Sequence, residues 1–299
     1  MPPVGGQAVI EGVMMQNGDR VAVAVRRESD GEVVIRDLPI RRRWPRLHAV
    51  PFVRGLFRLV DMVSLGIRAL NLSATLAFPE ETQGGGAQMA LTVAVAFLLA
   101  IGGFVVLPLF IANSVPGLRA GNAIIFNLVE GLIRVSFFLA YLFAISRLKD
   151  IRRVFQYHGA EHKSVATYEA GESLTVDSAR RHTRLHPRCG TAFLMIVLTI
   201  SILIFSVAGN PVLWLKILSR LLLLPVVAGV SYEVLRWGGD PSHRRWARWL
   251  TLPGMWMQRL TTAEPTDDMI EVALASLRRV TGAETVEPSV IGAETVAPT

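Results

Sequence analysis

The chain has 299 residues, of which 51% are hydrophobic and only 18% charged, with a net charge of +7 and a mean hydropathy of +0.41. A soluble domain carries about 25% charged residues, and the apolar excess here is gathered in blocks rather than spread as one larger core would require. A single cysteine excludes an internal disulfide framework and suits a reducing cytoplasm.

The first twenty residues lack a basic segment followed by an apolar one and a cleavage site, so no signal peptide is expected. Residues 1–50 read as a cytoplasmic segment. Within them 21–25 and 33–35 are β-branched runs around the turn signal Ser29-Asp30-Gly31, which predicts a small β-hairpin. Residues 51–80 place Phe52, Leu56, Leu59, Val60, Val63, Ile67 and Leu70 at helical spacing among Arg54, Arg58 and Arg68. That pattern suits an amphipathic helix in the interface of an anionic leaflet, or one packed on a membrane domain. Attraction to the bilayer accounts for the basic stripe without nucleic acid. Gly84-Gly85-Gly86 reads as a linker.

Four apolar runs follow. Residues 82–118 contain no Asp, Glu, Lys or Arg, with a first span at 89–112. A second, 123–145, is apolar apart from Glu130 and Arg134, which lie four apart on one helix face. A third is expected at 192–207. A fourth, at 213–235, has Lys216 and Arg220 near its start and Glu233 near its end. About 20 helical residues cross a hydrocarbon core, so residues 88–147 and 189–236 read as two transmembrane hairpins. Lys and Arg crowd the 148–188 loop and both flanking segments, while the turns at 115–122 and 208–212 hold only Arg119. The positive-inside bias therefore sets both termini in the cytoplasm. Residues 237–280 add cytoplasmic helices, with Ile270, Ala273, Leu274 and Leu277 on one face after Asp267 and Asp268. Residues 281–299, in which Gly-Ala-Glu-Thr-Val occurs twice, read as a disordered tail. The expected fold is mainly α: a polytopic membrane protein of about four transmembrane helices.

The 148–188 loop holds His158, His162, His182 and His186, four of the six histidines. In Tyr157-His158-Gly159-Ala160-Glu161-His162-Lys163 the two imidazoles are four apart, so a helix projects both from one face. The pattern His-x-x-Glu-His is the inverted zinc-peptidase motif, in which two histidines hold the ion and a carboxylate serves as base. His186-Pro187-Arg188-Cys189 brings a third imidazole and the thiol to the mouth of the third span. Together His158, His162, His186 and Cys189 make a candidate site for a divalent metal, with zinc the expected ion. Four ligands make a closed structural site. Three leave a position open and make Glu161 a candidate catalytic base. Glu169, Glu172 and Asp177 read as solvated surface, and His48 and His243 belong to no comparable constellation. Glu130, Arg134 and Glu233 suit either a polar groove for a lipid headgroup or client helix, or pairing that fixes helix register.

Five ordered motifs, Gly5-Gly6-Gln7-Ala8-Val9-Ile10-Glu11-Gly12-Val13-Met14-Met15, Tyr157 to Lys163, His186-Pro187-Arg188-Cys189-Gly190-Thr191, Ser231-Tyr232-Glu233 and Gln258-Arg259-Leu260-Thr261-Thr262, resemble the YqhQ-like family of bacterial membrane proteins. The resemblance implies a metal-dependent enzyme of the bacterial inner membrane and names no substrate. It also draws Glu11 toward the site as a further ligand or cap. Two functions are expected from the residues: a metal-dependent hydrolase at the membrane surface, or a non-enzymatic membrane-protein biogenesis factor or scaffold with a structural metal. The expected partners are membrane lipid and a membrane-protein client.

Overall fold

The computed structural model describes residues 4–40, 47–79, 86–119, 121–187, 189–207, 209, 212–238 and 244–283. The expected tail beyond 283, the linker glycines 84 and 85, Arg188 and His243 lie outside the described residues. Strands β1 (Val4–Val9), β2 (Gly12–Asn17), β3 (Arg20–Arg26) and β4 (Val33–Asp37) form one antiparallel meander in the order β1-β2-β3-β4. The helices are α1 (Val53–Ala77), α2 (Gly86–Ile101), α3 (Leu107–Asn113), the single turn α4 (Pro116–Arg119) and α5 (Ala123–Ile145). They continue with α6 (Lys149–Glu169), α7 (Val176–Arg181), α8 (Thr191–Val207), α9 (Leu213–Gly238), α10 (Arg244–Thr261) and α11 (Asp267–Thr281). A π-helical turn, Gly102–Val106, joins α2 to α3.

The expected hairpin is β3 and β4, paired from Ala22↔Asp37 to Arg26↔Val33. Two further strands precede it. Gly12, Val13, Met14 and Met15 in β2 are all buried, so the strand shows none of the in-out alternation that marks a half-exposed strand. Both faces of the sheet are covered. One packs Val9, Met14, Val21, Val23 and Val25 against Ala69 and Ala77 of α1. The other packs Val13, Met15, Ala22 and Ala24 against α6 and α11. The tight β1-β2 turn is closed by Glu11, whose φ of 51° lies in the left-handed region.

Helix α1 meets the protein through small residues, Gly55, Gly66, Ala69, Ser73 and Ala77, which let backbones approach closely. Several of its large apolar side chains, Phe52 before its start and Val60, Met62, Val63 and Leu70 within it, remain exposed. Part of the apolar face that the pattern assigns to the leaflet interface or to packing on a membrane domain is thus outward. Its N-terminal end is fastened to α9: Glu233 accepts from Arg54 Nε at 2.7 Å, from the Arg54 guanidinium again at 2.5 Å and from the Phe52 N–H at 3.1 Å. Glu233 is therefore an inter-helix clasp.

Four helices are long and apolar enough to cross a membrane: Val53–Ala77, Leu91–Asn113, Ala123–Ile145 and Leu213–Gly238. Three coincide with expected spans. The fourth is α1, and the expected third span is the shorter apolar helix Phe193–Val207. At a rise of 1.5 Å per residue, the 17 residues of α8 reach about 25 Å. Helices α5, α8 and α9 pack in succession, and α10 lies against α8.

Helix α11 docks where its pattern indicates. Ile270, Ala273, Leu274 and Leu277 are all at most 1% exposed. Ser276 Oγ donates to the Ala22 carbonyl at 3.0 Å, and Arg279 pairs with Asp37 at 2.5 Å. That guanidinium holds the Asp37 carboxyl below the usual carboxylate range. Gly282, at φ 70°, ends the helix in a left-handed cap. Leu277→Ala removes a fully buried side chain from this interface and is expected to cost about 3 kcal/mol. A lower thermal midpoint and faster proteolysis within 267–281 would record the loss.

Candidate metal centre

Helix α6 presents His158 and His162 on one face, with ring centroids 4.4 Å apart. Each imidazole is tied by its Nδ1 to a main-chain carbonyl: His158 to Thr261 at 2.8 Å and His162 to Arg184 at 2.6 Å. A carbonyl only accepts, so each Nδ1 carries the hydrogen and each Nε2 presents a lone pair. His158 Nε2 lies 3.2 Å from Cys189 Sγ. His162 Nε2 is buried with no hydrogen-bond partner among the described residues. One ligand atom from each of His158, His162 and Cys189 lies within 4.8 Å of the others.

Those three residues are the set that the fold brings together. Two imidazole lone pairs with outward N–H groups fixed on carbonyls, joined by a sulfur, form a donor set of the type that binds zinc. The buried Nε2 of His162, with no protein donor, fits an ion more readily than an apolar contact. Thr191 donates to Cys189 Sγ from its N–H at 3.4 Å and from its hydroxyl at 3.2 Å, fixing the sulfur just before the start of α8.

His186 stands beside the trio, its ring 5.7 Å from that of His162, and its Nε2 meets Glu169 Oε2 at 3.2 Å. Glu11 is placed elsewhere. Its carboxylate is gripped by Arg153 and accepts the Tyr157 hydroxyl at 3.3 Å, so it fastens the β1-β2 turn to α6 one residue before His158. Burial, with the Glu11 charge beside it, pushes the Tyr157 hydroxyl above its usual range. Glu161 is buried against β1, where an added Cβ on Gly6 would sit 2.8 Å from Glu161 Cγ. Burial raises its carboxyl above the usual range, opposed by His158 and by the Gly6 N–H that it accepts. His182 pairs with Glu172 at 3.3 Å and His48 with Asp61 at 3.2 Å.

The residues around the ligands come from the segment at the end of α10. Gln258 is fully buried and holds His186 from both sides, accepting its N–H and donating to its carbonyl, each at 2.8 Å. Arg184, whose carbonyl orients His162, donates to the Thr262 carbonyl and hydroxyl, both at 2.5 Å. Gly159 permits the approach, because a Cβ there would lie 2.2 Å from the Ala263 carbonyl. Lys163 anchors the same segment through Glu264 at 2.5 Å. None of these supports is readable from the His and Cys spacing. The motif Gln258 to Thr262 was the available signal, and its groups bond the His186 main chain, the His158 imidazole and the Arg184 guanidinium.

The profile of the family described as a protein of unknown function (DUF1385) matches residues 50–283. The chain belongs to that family. It is 34% identical over 297 residues to the uncharacterized protein YqhQ of Bacillus subtilis (strain 168), covering 93% of this chain and 92% of that one. No solved structure matches the chain. YqhQ and this chain share almost their whole length.

Gln258→Ala removes both bonds to the His186 main chain inside the protein and is expected to lower stability by about 2 kcal/mol. It should also hasten maleimide labelling of Cys189, the sole thiol of the chain. Thermal melting and the labelling rate check the two effects separately.

Proposed function

We propose that this chain is a multi-pass protein of the bacterial inner membrane, with both termini and the His/Cys centre in the cytoplasm, and that the centre is the zinc site of a hydrolase acting at the membrane surface. The observation that carries the proposal is the convergence of one ligand atom each from His158, His162 and Cys189 within 4.8 Å. The membrane placement is supported by the three long apolar helices Leu91–Asn113, Ala123–Ile145 and Leu213–Gly238 with the shorter apolar helix Phe193–Val207, and by the exposed large side chains of α2 and α5, among them Leu98, Leu99, Ile124, Ile125 and Leu132. The basic 148–188 loop gives the orientation.

His158 and His162 would hold the ion through Nε2 and Cys189 through its sulfur. Three protein donors would leave the ion accessible to substrate. A bound divalent ion supplies Lewis-acid polarisation of a carbonyl or phosphoryl oxygen. Glu161, next to His162 in sequence and buried beside His158, is the carboxylate that takes the proton from an attacking water. Thr261 and Arg184 keep the two imidazoles in the liganding tautomer. The substrate class is a peptide or lipid-linked bond presented at the bilayer surface.

His186 favours a second reading. Its ring stands 5.7 Å from His162, and a rotation that exchanged Glu169 for the ion would close the site and make it structural, as a scaffold or biogenesis factor requires. Removing His186 separates the two: a three-ligand site keeps its ion in His186→Ala, whereas a four-ligand site loses most of it.

Chelator-free purification of the full chain should yield about one equivalent of zinc, falling below roughly a tenth in His158→Ala/His162→Ala. Equal, near-zero metal in both proteins overturns the site. Glu161→Gln should keep the metal while hydrolysis falls by about two orders of magnitude or more. Bound ion should also shield Cys189 from maleimide, and a chelator should restore labelling.

A further inference from the structure

The long apolar helices enclose a second polar cluster, separate from the His/Cys centre. Glu130 and Arg134 of α5 and Lys216 and Arg220 of α9 are each at most 4% exposed. Arg134 donates to Glu130 and, at 3.1 Å, to Ser201 Oγ of α8. Arg220 donates to Asn127 Oδ1 and lies 3.9 Å from the second Glu130 oxygen. Lys216 Nζ donates to Asn113 Oδ1 at 3.0 Å.

The guanidinium charges do not balance: among the described residues, Arg134 and Arg220 share the one carboxylate of Glu130. Both guanidiniums stack over Phe205, 4.9 and 4.3 Å from its centroid, and the Lys216 ammonium sits 3.9 Å from that of Phe126. Ring faces attract cations without neutralising them. Burial of charge away from water requires pairing, yet Nε of Arg134 and Nε of Arg220 are both buried without a hydrogen-bond partner among the described residues. Two unfilled donors and one excess guanidinium charge meet around the Phe205 ring.

We propose that Arg134 and Arg220 form a binding site for a phosphate-class oxyanion. A phosphodiester carries one negative charge, matching the excess guanidinium, and its oxygens fit the planar guanidinium fork. The single carboxylate present is already shared between Arg134 and Arg220 and leaves both Nε groups for a ligand. The site rests on the membrane reading and is independent of the metal reading. Arg220 is the eighth residue of α9, about 10 Å along it at 1.5 Å per residue, and Lys216 lies nearer the helix end. That depth is within reach of a phospholipid phosphate at the membrane surface, and free phosphate is the other source of the same chemistry.

The test uses the full chain, purified in neutral detergent and stripped of lipid, with thermal melting and native mass spectrometry as readouts. Short-chain phosphatidylglycerol, inorganic phosphate and short-chain diacylglycerol, which lacks phosphate, are added in turn. The lipid source predicts a one-to-one phosphatidylglycerol complex and a rise in Tm of roughly 5 °C at saturation, with phosphate weaker. A free oxyanion source predicts that phosphate alone gives the rise. Either result supports the site if Arg134→Gln/Arg220→Gln abolishes it. No rise with either anion, an equal rise with diacylglycerol, or an undiminished rise in the double variant overturns it. Where the double variant fails to fold, Glu130→Gln decides: it increases the unmatched charge, so the rise should grow, and an equal or smaller rise overturns the proposal. A chain recovered from the aqueous fraction without detergent would overturn the membrane reading and the lipid source, while the phosphate titration would still decide the anion site.

Discussion

Two main-chain carbonyls determine what His158 and His162 can do. The oxygens of Thr261 and Arg184 each accept an Nδ1 hydrogen, which turns both Nε2 lone pairs toward the sulfur of Cys189. An imidazole on an isolated helix would sample several rotamers and both tautomers, and three such groups would seldom converge. The convergence therefore depends on where the chain places residues 184 and 261, not on α6 alone. Gly159 makes that placement sterically available by leaving room for the Ala263 carbonyl. Arg184 then locks it by bonding Thr262.

The sheet, α6 and α11 together serve the same placement. The sheet gives α6 a rigid surface, with Glu11 gripping Arg153 and Tyr157 on one side of His158 and Gly6 capping Glu161 on the other. Helix α11 closes the opposite end of that surface, burying Met269, Ile270, Leu274 and Leu277 with Tyr157 and Ala160 in one core. Ligands on a helix packed between a sheet and another helix lose less conformational freedom on binding an ion than ligands on a loop. Arg153, exposed on its outer side, is still productive here because it bridges two elements rather than decorating one.

The apolar blocks, the β3-β4 hairpin and the buried face of α11 were legible because each is a local pattern: a long charge-free run, a turn between β-branched residues, a 3.6-residue spacing. Strands β1 and β2 were not, since Val13, Met14 and Met15 are buried on both faces of a covered sheet and leave no alternation to read. Helix α1 showed its large apolar residues and concealed its contact surface, which is a stripe of glycine, alanine and serine. At the site, spacing sufficed for His158 and His162 because they share a helix. The return of Cys189 was readable only as a coincidence of residue types, and the Nδ1 acceptors were invisible because any residue carries a carbonyl. Glu11 shows the limit of motif membership: its position in a shared segment marks it as important, and its partners make it a fastener of α6.

Helix α8 connects the two polar centres of the molecule, and its electrostatics suit both. Cys189 lies just before its first residue, where aligned peptide dipoles favour negative charge. Phe205 lies in its last turn, where those dipoles favour cations, and there Arg134 and Arg220 stack on the ring. From Thr191 to Phe205 the rise is about 21 Å, most of the thickness of a hydrocarbon core. A thiol at one end and a cation cluster at the other thus match the polarity of a single short helix. Reversing either assignment would put charge against the dipole in surroundings too apolar to screen it.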